Sequence, residues 1–489
     1  MSNNLNYNEL NRETSTLRKP HHISEVTSIN PDGTRYIYGI PAYNTKQIEK
    51  TFSVGQNNNG SDLYNCNTQG VISSSSYTNT DASSSNSRGI DHYFNQRELP
   101  GYAHSYLLTA VLSADYVDLT GDGPTEDDLG GYTKLNYSKE QNKHKWRTPY
   151  AGANLNRGQL STLQDDKASI VYGEKEVWYL HTIETKSHIA EFHLSSRRDA
   201  MEANNLNQGN QGSSKVKKLD KIVLFSKVDR LKNGVNATPI KTVHFEYSYD
   251  LCPDVKNFEQ MSLVNPPAHS LYNYDNSYNW NEEDKRGKLT LHKVYFTYGK
   301  SNMGRSNPYV FEYKGPNPSY HLKSYDRWGN YKQNDCLLPN EEFPYVKQDK
   351  TVADINASAW CLTDIRMPSG GKIQVTYESD DYAYVQDQKA MQMELISGFS
   401  EELTTGTLSS NLYSKGDEHN YLYFNIKEGH SVNDYIPNLK KQLYFNCYIN
   451  LNGKNGSKSV KEFVSGFAWD SSLFLVLTWP GRWARRRCP

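Results

Sequence analysis

The residues best suited to chemistry lie in the run Asp118-Leu-Thr-Gly-Asp-Gly-Pro-Thr-Glu-Asp-Asp128. A hard cation such as Ca²⁺ takes six to eight oxygen ligands, and alternating Asp and Thr on a tight glycine turn points oxygens inward. Asp118, Thr120 and Asp122 fall at the first, third and fifth places of such a loop, and Gly123 permits the sharp turn. Thr120 stands where Asp or Asn is usual, and the twelfth place holds Leu129 rather than a bidentate Glu. The alternative is an acidic turn held by its own carboxylates accepting backbone N–H groups.

A second set, His181, Glu184, His188 and Glu191, has spacings of three, four and three, which on a helix would form one metal-binding face. The flanking Val177–Leu180 and Ile189–Phe192 are strand-like, with a turn expected at Thr185–Ser187. On strands the four residues fall on mixed faces, so the expectation is structural. His21-His22 with Glu25 lacks the H-E-x-x-H order of a zincin helix, and the chain has no G-x-S-x-G, P-loop or G-x-G-x-x-G motif. Asp380-Asp381 and Glu282-Glu283 are adjacent pairs, which on a strand face opposite ways and make no acid/base couple. Tyr272, Tyr274, Tyr278 and Trp280, in an Asn/Asp-rich stretch, are candidates for stacking sugar rings, or for plain packing over a sheet edge. No enzymatic centre is expected.

The elements that would position these residues are mainly strands. Ile240-Lys-Thr-Val-His-Phe-Glu-Tyr247 and Leu291-His-Lys-Val-Tyr-Phe-Thr-Tyr298 share the pattern [Ile/Leu]-x-x-Val-x-Phe-x-Tyr, which puts Val, Phe and Tyr on one face of a strand. Shorter echoes occur at 221–225, 310–313 and 373–377, and Leu362–Met367, Pro368–Gly371 and Ile373–Tyr377 read as strand, turn and strand. Helix signals are confined to Ser195–Asn204 and Gln386–Ile396. The expected fold is mainly β, with antiparallel sheets wound from short hairpin repeats and few helices. A mean hydropathy of −0.81 with 37 Tyr against 15 Phe suits such half-wet sheets better than a helical bundle.

Seven segments are expected: an N-terminal β segment (1–55), a low-complexity Asn/Ser-rich loop (56–90), a β-domain carrying the Asp-rich loop (91–203), a polar linker (204–215), a β-repeat region (216–400), a C-terminal β-domain (401–478) and an atypical tail (479–489). The balance of 54 basic and 55 acidic residues gives no field to draw the chain onto nucleic acid. The local cluster Lys215, Lys217, Lys218 and Lys221 reads as a solvated strand entry. Six scattered cysteines without a C-x-x-C pair make neither a zinc scaffold nor a disulfide-dense module, and Cys336 with Cys361 is one possible pair. Residues 1–30 lack an apolar leader and no apolar run approaches the roughly 20 residues that span a bilayer, so no membrane span is expected. The Asn-, Ser-, Thr- and Tyr-rich composition nevertheless points to an extracellular or cell-surface setting, with the chain a piece of a longer secreted protein.

Tyr325-Asp326-Arg327-Trp328-Gly329-Asn330-Tyr331 reads as strand, tight turn, strand. Its Tyr325, Asp326, Gly329 and Asn330 match Tyr-Asp-x-x-Gly-Asn, and the segment resembles the unit of the Rhs/YD-repeat family, bacterial surface and toxin-delivery proteins whose repeats wind into β-shells. The Asp118–Asp128 run resembles the calcium loops of FG-GAP-type surface repeats, which accompany Rhs-type segments. That resemblance implies a structural Ca²⁺ held by Asp118, Thr120 and Asp122, with Glu126, Asp127 or Asp128 closing the cage. Together they imply a non-enzymatic scaffold with a shell or display role, whose partners are the rest of a longer polypeptide or other cell-surface proteins. A calcium-stabilised adhesin that binds glycans is the alternative expectation, followed by a glycoside hydrolase fragment.

Overall fold

The computed structural model describes residues 18–54, 70–73, 76–89, 91–156, 166–207, 211–259, 286–326, 328–334, 349–381 and shorter stretches between 383 and 486. The protein is mainly β, with antiparallel sheets and two α-helices among the described residues. It divides into two units: residues 1–157, 166–322 and 358–377 form the first, the remainder the second.

A 17-stranded sheet organises the first unit. Its strands are β1 (Val26–Ile29), β2 (Arg35–Tyr38), β3 (Ile40–Ser53), β4 (Val71–Ile72), β5 (Phe94–Leu99), β6 (Tyr102–Leu107), β7 (Ala110–Leu112), β8 (Tyr132–Thr148), β9 (Ala153–Asn156) and β10 (Lys167–Glu184). There follow β11 (His188–Ala203), β12 (Gln211–Ser226), β13 (Lys241–Leu251), β14 (Lys288–Tyr298), β15 (Tyr309–Glu312), β16 (Asp364–Arg366) and β17 (Lys372–Gln374). In the first half the 18-residue β10 is the spine, pairing antiparallel with β3 over residues 167–175, with β9 over 167–169 and with β8 over 171–184. From β10 onward the topology is simpler. Each strand through β17 pairs antiparallel with the next in sequence, giving a meander of eight strands.

The repeated pattern is placed directly in this meander. Its two copies lie side by side as β13 and β14, with Val243 opposite Phe296 and Phe245 opposite Val294. Direct cross-strand partners share a face, so the alternation that makes each strand amphipathic also aligns the two apolar rows. The last hairpin forms as expected: β16 and β17 are joined through Gly370, whose φ of 85° suits glycine, and Met367 N–H donates to Gly371 O at 2.8 Å.

The main core lies under β3, β4, β9 and β10, where Phe52, Val54, Ile72, Ala153, Leu155, Ala168 and Ile170 are buried. Tyr77 and Ala82, from the described part of the Asn/Ser-rich loop, join it. One ring supplies the apolar area. The rest is held by polar geometry: Asp81 accepts Thr78 N–H, and Asn86 Nδ2 donates to the Ser53 and Asp81 carbonyls. The meander is different. No large apolar side chain of β13 or β14 is fully buried, and the buried positions there are Thr242, Ser248, Thr290 and Thr297. Both faces of this part of the sheet are half-exposed.

Neither expected helix forms. Residues 195–203 belong to β11, with Ser195 opposite Lys218 and Ser196 opposite Lys217, while Gln388–Lys389 and Ile396–Ser400 are strands. Local helix preference is worth only tenths of a kcal/mol per residue, and a full row of cross-strand hydrogen bonds outweighs it. The helices that do form are α1 (Lys227–Asn233), closed by Gly234 at φ 52°, and α2 (Lys350–Ala357). β12 begins at Gln211, within the stretch read as a polar linker. In the second unit, Ile396–Ser400, Tyr421–Asn425, Phe474–Thr478 and Arg482–Arg486 form a four-stranded sheet around the buried Tyr423, and Leu443–Leu451 pairs with Val460–Ala468. Among the described residues no helix is long and apolar enough to cross a membrane.

Candidate functional site

The Asp-rich loop sits between β7 and β8, closed at its base by the Val117–Leu129 bridge and by Gly130, whose φ is 75°. Its carboxylates fold it. Asp118 accepts the N–H groups of Gly121 at 2.7 Å and Gly123 at 3.0 Å. Asp128, 3% exposed, accepts Leu119 N–H at 3.1 Å, Thr125 N–H at 2.8 Å and the Tyr116 hydroxyl at 2.7 Å. Hydrogen bonds to a carboxylate favour its charged form. Led by the Thr125 N–H, they hold Asp128 at about 2 against the opposing effect of burial. Tyr116 moves the other way, its phenol raised by burial and by the bond to Asp128.

The remaining candidates diverge. Thr120 donates to Asp122 at 2.6 Å on the exposed tip, and Glu126 reaches Lys227 at 3.0 Å. Among the described residues no three His, Cys, Asp or Glu side chains converge on a metal-sized point. Asp118, Thr120, Asp122, Glu126 and Asp128 share one loop, in which Asp118 and Asp128 are turned to backbone N–H groups, as in a turn held by side-chain to backbone hydrogen bonds.

His181, Glu184, His188 and Glu191 lie on the β10–β11 hairpin, whose turn falls at Thr185–Ser187 with Thr185 N–H donating to His188 O. Their partners separate them. Glu184 takes Lys227 and Asn136, Glu191 takes Arg230 at 2.6 Å, and the His188 ring meets Ser187 at 2.8 Å. Lys215, Lys217 and Lys218 are likewise paired, with Glu259, Glu140 and Asp220 respectively. Asp380 and Asp381 are exposed. Tyr272, Tyr274, Tyr278 and Trp280, the Glu282-Glu283 pair and Cys336 lie outside the described residues.

The Tyr325–Tyr331 motif folds as a closed turn in the second unit. Tyr325 and Tyr331 form an antiparallel bridge, Asp326 N–H donates to Asn330 O at 2.9 Å, and Gly329 N–H donates back to Asp326 O at 3.1 Å. Asp326 Oδ1 accepts the N–H groups of Trp328 and Asn330, each at 2.9 Å. The motif residues thus have separate jobs: Asp326 caps the turn, and Gly329 supplies the left-handed backbone at φ 88°. Asn334 Nδ2 ties the Tyr325 carbonyl at 3.0 Å. Trp328 is left 69% exposed.

One constellation had no sequence signal. Ser248 Oγ lies 2.6 Å from His292 Nε2, and Asp250 Oδ2 lies 3.1 Å from the same nitrogen. Ser248 and Asp250 are two apart on β13, but His292 reaches them only because the β13–β14 register shifts between Glu246 and Tyr247. A nucleophilic serine needs the carboxylate on the opposite ring nitrogen, where it fixes the tautomer. With both groups on Nε2, this trio is a polar cross-strand tie. A pocket of about 100 Å³ lined by His144, Arg147, Tyr150 and Met201 is small beside ordinary ligand sites of roughly 300–1,000 Å³. The Arg147 guanidinium is already engaged by the Leu206 and Pro149 carbonyls and the Tyr77 hydroxyl. Compared with known proteins, the chain matches no family model, no curated sequence and no solved structure.

Proposed function

We propose that this chain is a non-enzymatic structural module of a large secreted or cell-surface bacterial protein of Rhs/YD type, serving as wall or display scaffold. The observation that carries this reading is the β10–β17 meander. It adds strands in sequence order, and across β13 and β14 both faces remain half-exposed. Among the described residues no large apolar side chain of β13 or β14 is fully buried, so this part of the sheet gains its stability chiefly from cross-strand pairs and suits a partition between two wet spaces. The capped Tyr325–Tyr331 turn supports the same reading, because each residue matching the repeat has a defined part in the turn.

The structure of the full-length gene product tests it. Further antiparallel strands paired in sequence around a hollow interior are expected. Discrete sandwiches with a sugar bound near Tyr272–Trp280 would replace this reading with the adhesin. A sugar cleft holding two carboxylates roughly 5–10 Å apart would replace it with a glycosidase. A structural calcium remains part of the proposal only as a staple, since Asp118 and Asp128 would have to exchange backbone donors for the ion. Titration with Ca²⁺ under a melting readout decides the point: no rise in Tm removes the metal.

A further inference from the structure

A row of basic groups crosses the meander. His193 on β11 is directly opposite Lys221 on β12, Lys221 is opposite His244 on β13, and His244 is opposite Tyr295 on β14. Direct partners lie on one face with Cβ atoms roughly 5 Å apart, so Lys221 stands between two imidazoles. Among the described residues no carboxylate lies within ion-pair distance of Lys221. The row also marks an end. The β12–β13 join runs only from Lys221↔His244 to Leu224↔Lys241, whereas β13–β14 is paired from Lys241↔Tyr298 to Leu251↔Lys288.

We propose that the β12–β13 seam is an acid-sensitive joint, opened when His193 and His244 become protonated on either side of Lys221. Above the ordinary histidine range the row carries one charge. Below it three positive charges stand on adjacent strands, and like charges directly opposite destabilise a sheet.

The surroundings of each ring leave little to neutralise it. His193 faces Lys221 on β12, His181 on β10, Arg230 on α1 and, on its own strand, Glu191 at 3.8 Å. Glu191 is committed to Arg230 at 2.6 Å. His244 faces Lys221, Tyr295 and Thr297 on β14, Arg305 beyond β14, and Glu246 on its own strand. Glu246 is shared with Lys293 at 3.6 Å. His244 also stacks on Tyr295, with ring centroids 4.5 Å apart, and its Nε2 lies 2.9 Å from Thr297 Oγ1. Burial first, then Lys221, depresses both imidazoles below the usual histidine value. A base with a depressed folded pKa costs nothing while neutral, and costs stability as pH falls through the unfolded value of about 6.5.

Amide exchange of the full chain at pH 7.5 and pH 5.0, corrected for the intrinsic rate, reads the joint. A several-fold loss of protection at pH 5.0, centred on residues 221–224 and 241–244, is expected in the native sequence. His193→Gln with His244→Gln should retain most of that protection, and Lys221→Met, which keeps the aliphatic stem, should retain part of it. Equal loss in the native and substituted proteins, or no loss in the native protein, overturns the proposal. Should the double substitution fail to fold, Lys221→Met decides alone. An undiminished loss in that protein overturns the proposal, and a reduced one supports it.

Discussion

Asp199 and Asp128 are both buried carboxylates, yet they are stabilised by different partners. Asp199, fully buried on β11, receives two hydrogen bonds from Arg197 at 2.8 and 2.6 Å and one from Leu289 N–H at 3.0 Å. Burial raises its pKa, but those donors more than offset the rise and leave it below the usual range. Removing Asp199 leaves the Leu289 N–H and the partly exposed Arg197 guanidinium without their acceptor, at a cost of about 1–3 kcal/mol. Asp199→Ala is therefore expected to lower Tm by several degrees, and Asp199→Asn by less, in thermal melts at neutral pH. Asp128 makes a prediction in pH. Its folded value of about 2 lies below the unfolded carboxyl value of ~3.9, so its contribution is intact above pH 4. It is lost as pH falls toward 2. Protection of the Leu119 and Thr125 amides, corrected for the intrinsic exchange rate, should fall over that window in the native protein, and should already be low at pH 7 in Asp128→Ala.

Two turns test how the elements are joined. Gly329 and Gly130 both have positive φ, but their surroundings differ. A Cβ on Gly329 meets nothing within 4 Å, whereas one on Gly130 lies 2.6 Å from Tyr116 Cα and the Asp115 carbonyl. Gly329→Ala should cost only the left-handed backbone penalty, about 1 kcal/mol, and Gly329→Asn less. Gly130→Ala should cost distinctly more, because backbone must move at the base of the Asp-rich loop. Limited proteolysis across each turn and melting of each variant check the order. A Gly130→Ala protein as stable as Gly329→Asn would contradict it.

For the first unit as a whole, stability should follow the layering. Phe52, Ile72, Leu155 and Ile170 are buried beneath β3, β4, β9 and β10, while β13 and β14 bury no large apolar side chain. Native-state amide exchange at pH 7.5 is expected to show the slowest amides in β3 and β10 and faster ones in β13 and β14. The reverse order would mean that something outside the described residues covers the meander. Local opening free energies rise with buried apolar contact, which is why the gradient is expected.

The kind of structure follows from local pattern alone. Period-two alternation in residues 240–247 and 291–298, with glycine at the turns, has few solutions other than antiparallel strands, because the pleat puts every second residue on one face. The Tyr325–Tyr331 turn and the 185–187 turn were legible for the same local reason: the donors and acceptors they need are supplied within a few residues, with Gly329 adding the positive φ of the first. Which rows meet is a matter of long-range pairing. The register shift that brings His292 to Ser248, and the alignment of His193, Lys221 and His244, depend on pairing between distant segments. The same holds for the helix-like stretch at 195–203, which became strand once β12 offered a partner. In the Asp-rich loop, residue types alone left both a cation and a backbone cap open. The direction in which Asp118 and Asp128 point, toward backbone N–H groups, was set by folding the loop.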